Sequence, residues 1–134
     1  MEKHFRRATN SLEGIFAFLQ EFASAEGLDE SVTYVMNLVV EELFTNMVKH
    51  SPGGAAEIPI SLTREGRKLV MRLVDRDVDE FDITRAKKAS TDLPLEQRKP
   101  GGLGLHLIKH MVDEIDYQYK DNSSVITIIK ELKG

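Results

Sequence analysis

The chain has 134 residues, 41% of them hydrophobic and 30% charged, with 18 basic side chains against 22 acidic ones and a net charge of −4. That is one ordinary domain with its own core rather than two, and the charge balance argues against a general nucleic-acid binder. With no cysteine there is neither a disulfide framework nor a thiolate metal site, and no apolar run approaches membrane-spanning length, so a cytoplasmic protein is the expectation.

Residues 2 to 8 read as a short edge strand. Asn10 followed by Glu13 reads as a capping box, opening a helix with Leu12, Ile15, Phe16, Leu19 and Phe22 on one side. Gly27 ends it, and Asp29 with Glu30 starts a second helix that runs to about His50. Ser51-Pro52-Gly53-Gly54 is a break. Residues 56 to 65 and 67 to 75 flank Gly66 and form an antiparallel hairpin. From Asp82 to Pro100 no apolar period persists, apart from a short turn near Ile83 to Ala89; a connection of that length belongs to a lid or mobile segment. Gly101-Gly102 leads into a helix over residues 103 to 114, and a second hairpin follows across Asn122-Ser123. Helices cluster instead of alternating with strands. The expected fold is therefore α+β: a two-layer sandwich spanning residues 1 to 134, its mixed, mostly antiparallel sheet covered by helices on one face.

Charge is unevenly spread. Residues 75 to 82 hold five acids and one base, and residues 85 to 99 hold five bases and two acids. The basic stretch either steers an anion or is a solvated loop.

The second helix carries a puzzle. Glu42 and Asn46 lie about 40° apart on its wheel and, with His50, continue the apolar line of Val32, Val35 and Val39. An unpaired buried carboxylate is costly. Either the helix leaves the core at this end and these groups reach water, or the stripe ends in a cleft where they face a cation or polar ligand. Hard cations take oxygen ligands and keep several waters, so one amide oxygen plus phosphates would serve Mg²⁺. Glu41 points about 100° away and belongs on the surface.

The second signal is "PGGLGLHLIKH". Glycines at a helix start let backbone N–H groups approach an anion, where the helix dipole favours negative charge. Gly104 stands inside the helical pattern at a cost of about 1 kcal/mol relative to alanine, which close approach to a ligand or close helix-on-sheet packing would explain. His106 and His110 stand at i and i+4, but no carboxylate base lies between them and Lys109 adjoins them; they read as a solvated face.

Together, "EELFTNMVKHS", the acidic turn after "LVMRLVD" and "GGLGLHLIKHMVDEIDY" resemble the GHKL ATPases of gyrase, heat-shock chaperone, histidine kinase and MutL type. Within that group they most resemble the RsbW-type anti-sigma-factor serine kinases, over nearly the whole chain. The resemblance implies the Bergerat fold, with ATP and Mg²⁺ as cofactors. It implies that Asn46 coordinates the Mg²⁺ bridging the phosphates and that Glu42 is the general base or orients the attacking hydroxyl. Asp75 would accept a hydrogen bond from the adenine amino group. Gly102 and Gly104 would sit at the nucleotide phosphates, Gly101, Leu103 and Leu105 would belong to the same nucleotide site, and residues 85 to 101 would be the ATP lid, with Arg98 a phosphate contact. His50 falls at a position beside the nucleotide. The implied partners are an anti-anti-sigma (STAS-domain) protein and a sigma factor, with no nucleic acid or membrane; the family commonly forms homodimers.

One box departs. Where the family reads Asp-x-Gly-x-Gly, this chain reads Asp75-Arg76-Asp77-Val78-Asp79, and Phe81 stands one residue late. A Cβ and a charge fit a tight backbone turn poorly, and added carboxylates repel a triphosphate. The alternative expectation is thus the same fold with catalysis or nucleotide binding weakened, acting by partner exchange. A sensor histidine kinase fragment is a third reading. It lacks support from a phosphoacceptor histidine on a preceding dimerisation helix, since His4 falls at a strand.

Overall fold

The structure is a computed structural model that describes residues 1–80 and 108–132. Strand β1 (Glu2–Arg6) runs through a 3₁₀ turn (Thr9–Ser11) into α1 (Leu12–Glu26), and α2 (Glu30–His50) follows. The hairpin strands β2 (Glu57–Glu65) and β3 (Lys68–Arg76) come next, and β4 (Glu114–Lys120) and β5 (Ser123–Glu131) close the described chain. The five strands form one sheet in the order β1-β2-β3-β5-β4, and each of its four pairings is antiparallel. This is the expected α+β arrangement.

Period-two burial explains the layers. On β2 the side chains of Ile58, Ile60 and Leu62 are buried, on β3 those of Leu69, Met71 and Leu73, and on β5 those of Ile126 and Ile128. From the helices Ile15, Phe18, Leu19 and Phe22 of α1 and Met36, Val39, Val40, Leu43, Phe44 and Met47 of α2 join the same core. Phe5 of β1 meets Phe18 of α1 edge to face, with ring centroids 5.7 Å apart, which ties the edge strand to the helical layer.

Local signals decide the ends. Gly27, at φ 64°, caps α1 in the left-handed region, and its N–H reaches the carbonyls of Ala23 and Ser24. Asp29 caps α2 by accepting from the Ser31 N–H at 3.4 Å.

Three expectations are corrected. The Asn10–Glu13 capping box is not formed: Ser11 precedes the first helical residue, makes no side-chain cap, and instead donates its hydroxyl to the Arg6 carbonyl at 2.8 Å. The chain leaves the edge strand through the 3₁₀ turn, so the helix starts later than the box assumed. The second hairpin turns at Asp121 and Asn122, one residue earlier than expected, with φ of 53° and 59°. Asp and Asn tolerate such positive angles, as the two-residue turn demands of both. Glu114, assigned to the last helix, opens β4; the described helical residues end at Met111.

Candidate functional site

The chemistry gathers where α2 ends. Val39 is fully buried, and Val32 and Val35 pack partly buried against the core, so the stripe is real. Further along the same line Glu42 and Asn46 are half-buried, and His50 is exposed. Glu41 is exposed, as its angle requires. The stripe therefore changes from core to accessible polar groups within two turns.

The two polar groups are arranged in a specific way. Asn46 Nδ2 donates to the backbone carbonyl of Glu42 at 2.7 Å. That bond ties the amide nitrogen to the preceding turn of the helix. Glu42 Oε1 is buried and has no hydrogen-bond partner among the described residues. Burial pushes the Glu42 carboxyl above its ordinary range; the Asn46 amide opposes this, the Glu41 charge adds to it, and Lys49 opposes it. A buried carboxylate oxygen without a donor is costly, and in native structures such atoms cluster where a function uses them.

Asp75 lies near the end of β3. It continues the inward row Leu69, Met71, Leu73 of β3 and is 4% exposed. Across the ladder it faces the buried Ser124 of β5. Its partner is a residue that the sequence reading missed, Arg7. The guanidinium forms an ion pair with Asp75 Oδ1 through Nη2, donates from Nε to the Ala55 carbonyl at 2.7 Å, and from Nη1 to the Met47 carbonyl at 3.3 Å. Both side chains are 5% exposed. A signal for this pair existed in the sequence. The β1–β2 ladder continues through the Arg7 N–H to the Ala56 carbonyl at 2.8 Å, so Arg7 shares the inward parity of Phe5. Two opposite charges then stand at the ends of two inward rows. Gly54 completes the arrangement: a Cβ there would collide with the Arg7 guanidinium and with Val78.

The departed glycine box keeps a glycine-like backbone. Asp77 has φ 59°, the left-handed region that glycine adopts without cost. The loop is docked on the β4–β5 hairpin, with the Val78 N–H bonded to the Asn122 carbonyl at 3.0 Å and Tyr119 Oη donating to the Val78 carbonyl at 2.8 Å.

Arg98, Gly101, Gly102, Leu103, Gly104, Leu105, His106, Phe81 and the expected lid over residues 85 to 101 lie outside the described residues. Of the expected site, Glu42, Asn46, His50 and Asp75 are described. Among the described residues no group of three or more His, Cys, Asp or Glu side chains could hold a metal, and no helix is long and apolar enough to cross a membrane. A phosphate-bound Mg²⁺ needs no such cluster. The Asn46 amide, its nitrogen on the Glu42 carbonyl, keeps an oxygen acceptor of the kind that suits a cation bringing phosphate and water ligands with it.

A two-layer antiparallel sandwich with a carboxylate and an amide toward the C-terminal end of its second helix defines a class. Residues 5–130 match the histidine kinase-like ATPase domain, and the chain belongs to that family. It is 25% identical over 123 residues to the serine/threonine-protein kinase BtrW of Bordetella bronchiseptica, covering 90% of this chain and 85% of that protein. It is 29% identical over 114 residues to the serine-protein kinase RsbW of Listeria monocytogenes, covering 81% and 72%. Among solved structures it resembles a chain of the SiaB–SiaC complex from Pseudomonas aeruginosa, with a TM-score of 0.63 at 17% identity over 97% of this chain and 87% of that one. At that identity the likeness bears on the fold alone.

Proposed function

We propose that this chain is an ATP- and Mg²⁺-dependent protein serine kinase that phosphorylates an anti-anti-sigma partner of STAS type and thereby regulates a sigma factor. The observation that carries the reading is the buried Glu42 Oε1, which has no hydrogen-bond partner among the described residues, one helical turn from Asn46. The relatives BtrW and RsbW, both named as protein kinases, support the same reading. A homodimer, common in the family, belongs with it.

When bound, ATP supplies the phosphoryl group and Mg²⁺ neutralises charge on its oxygens. Asn46 would hold the cation through its amide oxygen. Glu42 would accept the proton of the incoming serine hydroxyl, and its raised pKa makes it a stronger base than an ordinary glutamate. Asp75 would take the amino group of the base, and the backbone around Gly102 and Gly104 would receive the phosphates, with Arg98 beside them. The test is transfer of labelled phosphate from ATP to a STAS-domain protein. Glu42→Ala should lower the rate by about 10²–10⁴-fold while sparing nucleotide binding. A stable label on this chain itself, lost in acid and kept in base, would instead indicate a phosphohistidine and overturn the reading.

The second reading keeps the fold and the partners but not the chemistry. Asp77 and Asp79 at the glycine positions favour it, since a negative loop repels a triphosphate. Under that reading the chain acts by protein binding alone and takes up no ATP at millimolar concentration.

A further inference from the structure

The buried Arg7–Asp75 pair goes beyond what the kinase reading assigns, although the inference rests on that reading's placement of the base at Asp75. An ionised carboxylate accepts hydrogen bonds and cannot donate; a protonated one can do both. A 6-amino purine presents a donor to it, whereas a 6-oxo purine presents an acceptor at the same position. Discrimination between the two therefore depends on keeping the acid ionised and its oxygens fixed.

Asp75 is poorly placed to stay ionised unaided. It is 4% exposed, on a row otherwise made of Leu69, Met71 and Leu73. Burial pushes its carboxyl above the ordinary range, and the hydrogen bond and charge of Arg7 push the other way. Among the described residues, the other groups that the ladder and hydrogen bonds set against the pair are neutral: Ser124 across the ladder from Asp75, and the carbonyls of Ala55 and Met47 on the guanidinium. Those two carbonyls belong to the segment entering β2 and to the last turn of α2, so the guanidinium is held from three sides. It is a fixed counter-charge rather than a mobile surface arginine.

We infer that Arg7 is a positioning residue that sets base specificity: it locks Asp75 in place as a pure acceptor and so selects 6-amino over 6-oxo purines. Removing the guanidinium leaves an uncompensated buried carboxylate, which takes up a proton and gains a donor. The 6-oxo base then finds a partner that the native site denies it.

The experiment compares ATP with inosine triphosphate, in the presence of Mg²⁺, by calorimetric titration of the native chain, Arg7→Gln and Arg7→Lys across a pH series. The native chain should prefer ATP by about tenfold or more at neutral pH, as expected of a site built to bond an N–H group. Arg7→Gln should bring that preference below about threefold at neutral pH, with recovery as the pH rises and Asp75 ionises. Arg7→Lys, which keeps the charge, should keep the preference. A folded Arg7→Gln with native preference at every pH would overturn the inference and leave the base reading standing, as would equal loss in both variants. Equal binding of the two nucleotides by the native chain, or binding of neither, would remove the base reading and the inference with it. Should Arg7→Gln not give a cooperative melt, the native profile decides: loss of preference confined to acid supports the role of Arg7, and loss already at neutral pH contradicts it.

Discussion

Under the proposed kinase reading, function opposes stability at a single residue, Glu42. Its carboxyl is raised from an ordinary value of 4.5, chiefly by burial. Below that value the side chain is protonated in the folded and unfolded chains alike, and nothing is lost. Above the folded pKa both states are ionised, and only the folded one bears the desolvation penalty. Stability therefore falls as pH rises through this window. Glu42→Gln should melt higher than the native chain at neutral pH, and the gain should vanish in acid, as read by thermal melts over a pH series. A lower melting temperature at neutral pH would mean that Oε1 has a stabilising partner. Asp77 is the second such residue. Its left-handed backbone suits glycine better, so Asp77→Gly should stabilise by up to about 1 kcal/mol in urea unfolding. The same change should tighten binding of ATP–Mg²⁺, with the effect shrinking as salt screens the lost charge. Destabilisation would mean that the Asp77 side chain, not only its backbone, holds the loop.

Among the elements, α2 was the most legible in sequence, because its length and period are both strong signals. Its start at Asp29 and Glu30 was read correctly, and Asp29 proves to be its cap. Asp29→Ala should cost about 1 kcal/mol in chemical unfolding, and no measurable cost would mean that the 3.4 Å bond contributes nothing. The start of α1 was misread because Asn10 and Glu13 have capping chemistry, whereas the local geometry was set by the exit from β1, a tertiary constraint. The hairpin turn slipped by one residue because Asp121, Asn122 and Ser123 are all turn formers, and only the β4–β5 register decides among them. Glu42 and Asn46 were visible as breaks in an apolar stripe. Arg7 was not. Its position depends on the β1–β2 ladder extending one residue past the strand and on Asp75 ending its own row two strands away. That is information about pairing, which no single stretch of sequence contains.

At the scale of the whole molecule, the sheet and the end of α2 bring together residues far apart in the chain: Arg7, Met47, Gly54, Ala55 and Asp75. The polar end of α2 and the clamp on Asp75 share one helix terminus, since Met47, one residue after Asn46, supplies a carbonyl to Arg7. A change at either place should therefore be felt at the other. The proposed function requires that this end of the fold receive a magnesium-bound nucleotide. Calorimetric titration of ATP into the native chain and Asn46→Ala, each with and without Mg²⁺, decides the matter. The native chain should bind in a Mg²⁺-dependent way, and an Asn46→Ala variant that still melts cooperatively should not. No uptake by the native chain at millimolar nucleotide, or an Asn46→Ala variant that binds as before, would contradict the proposed function.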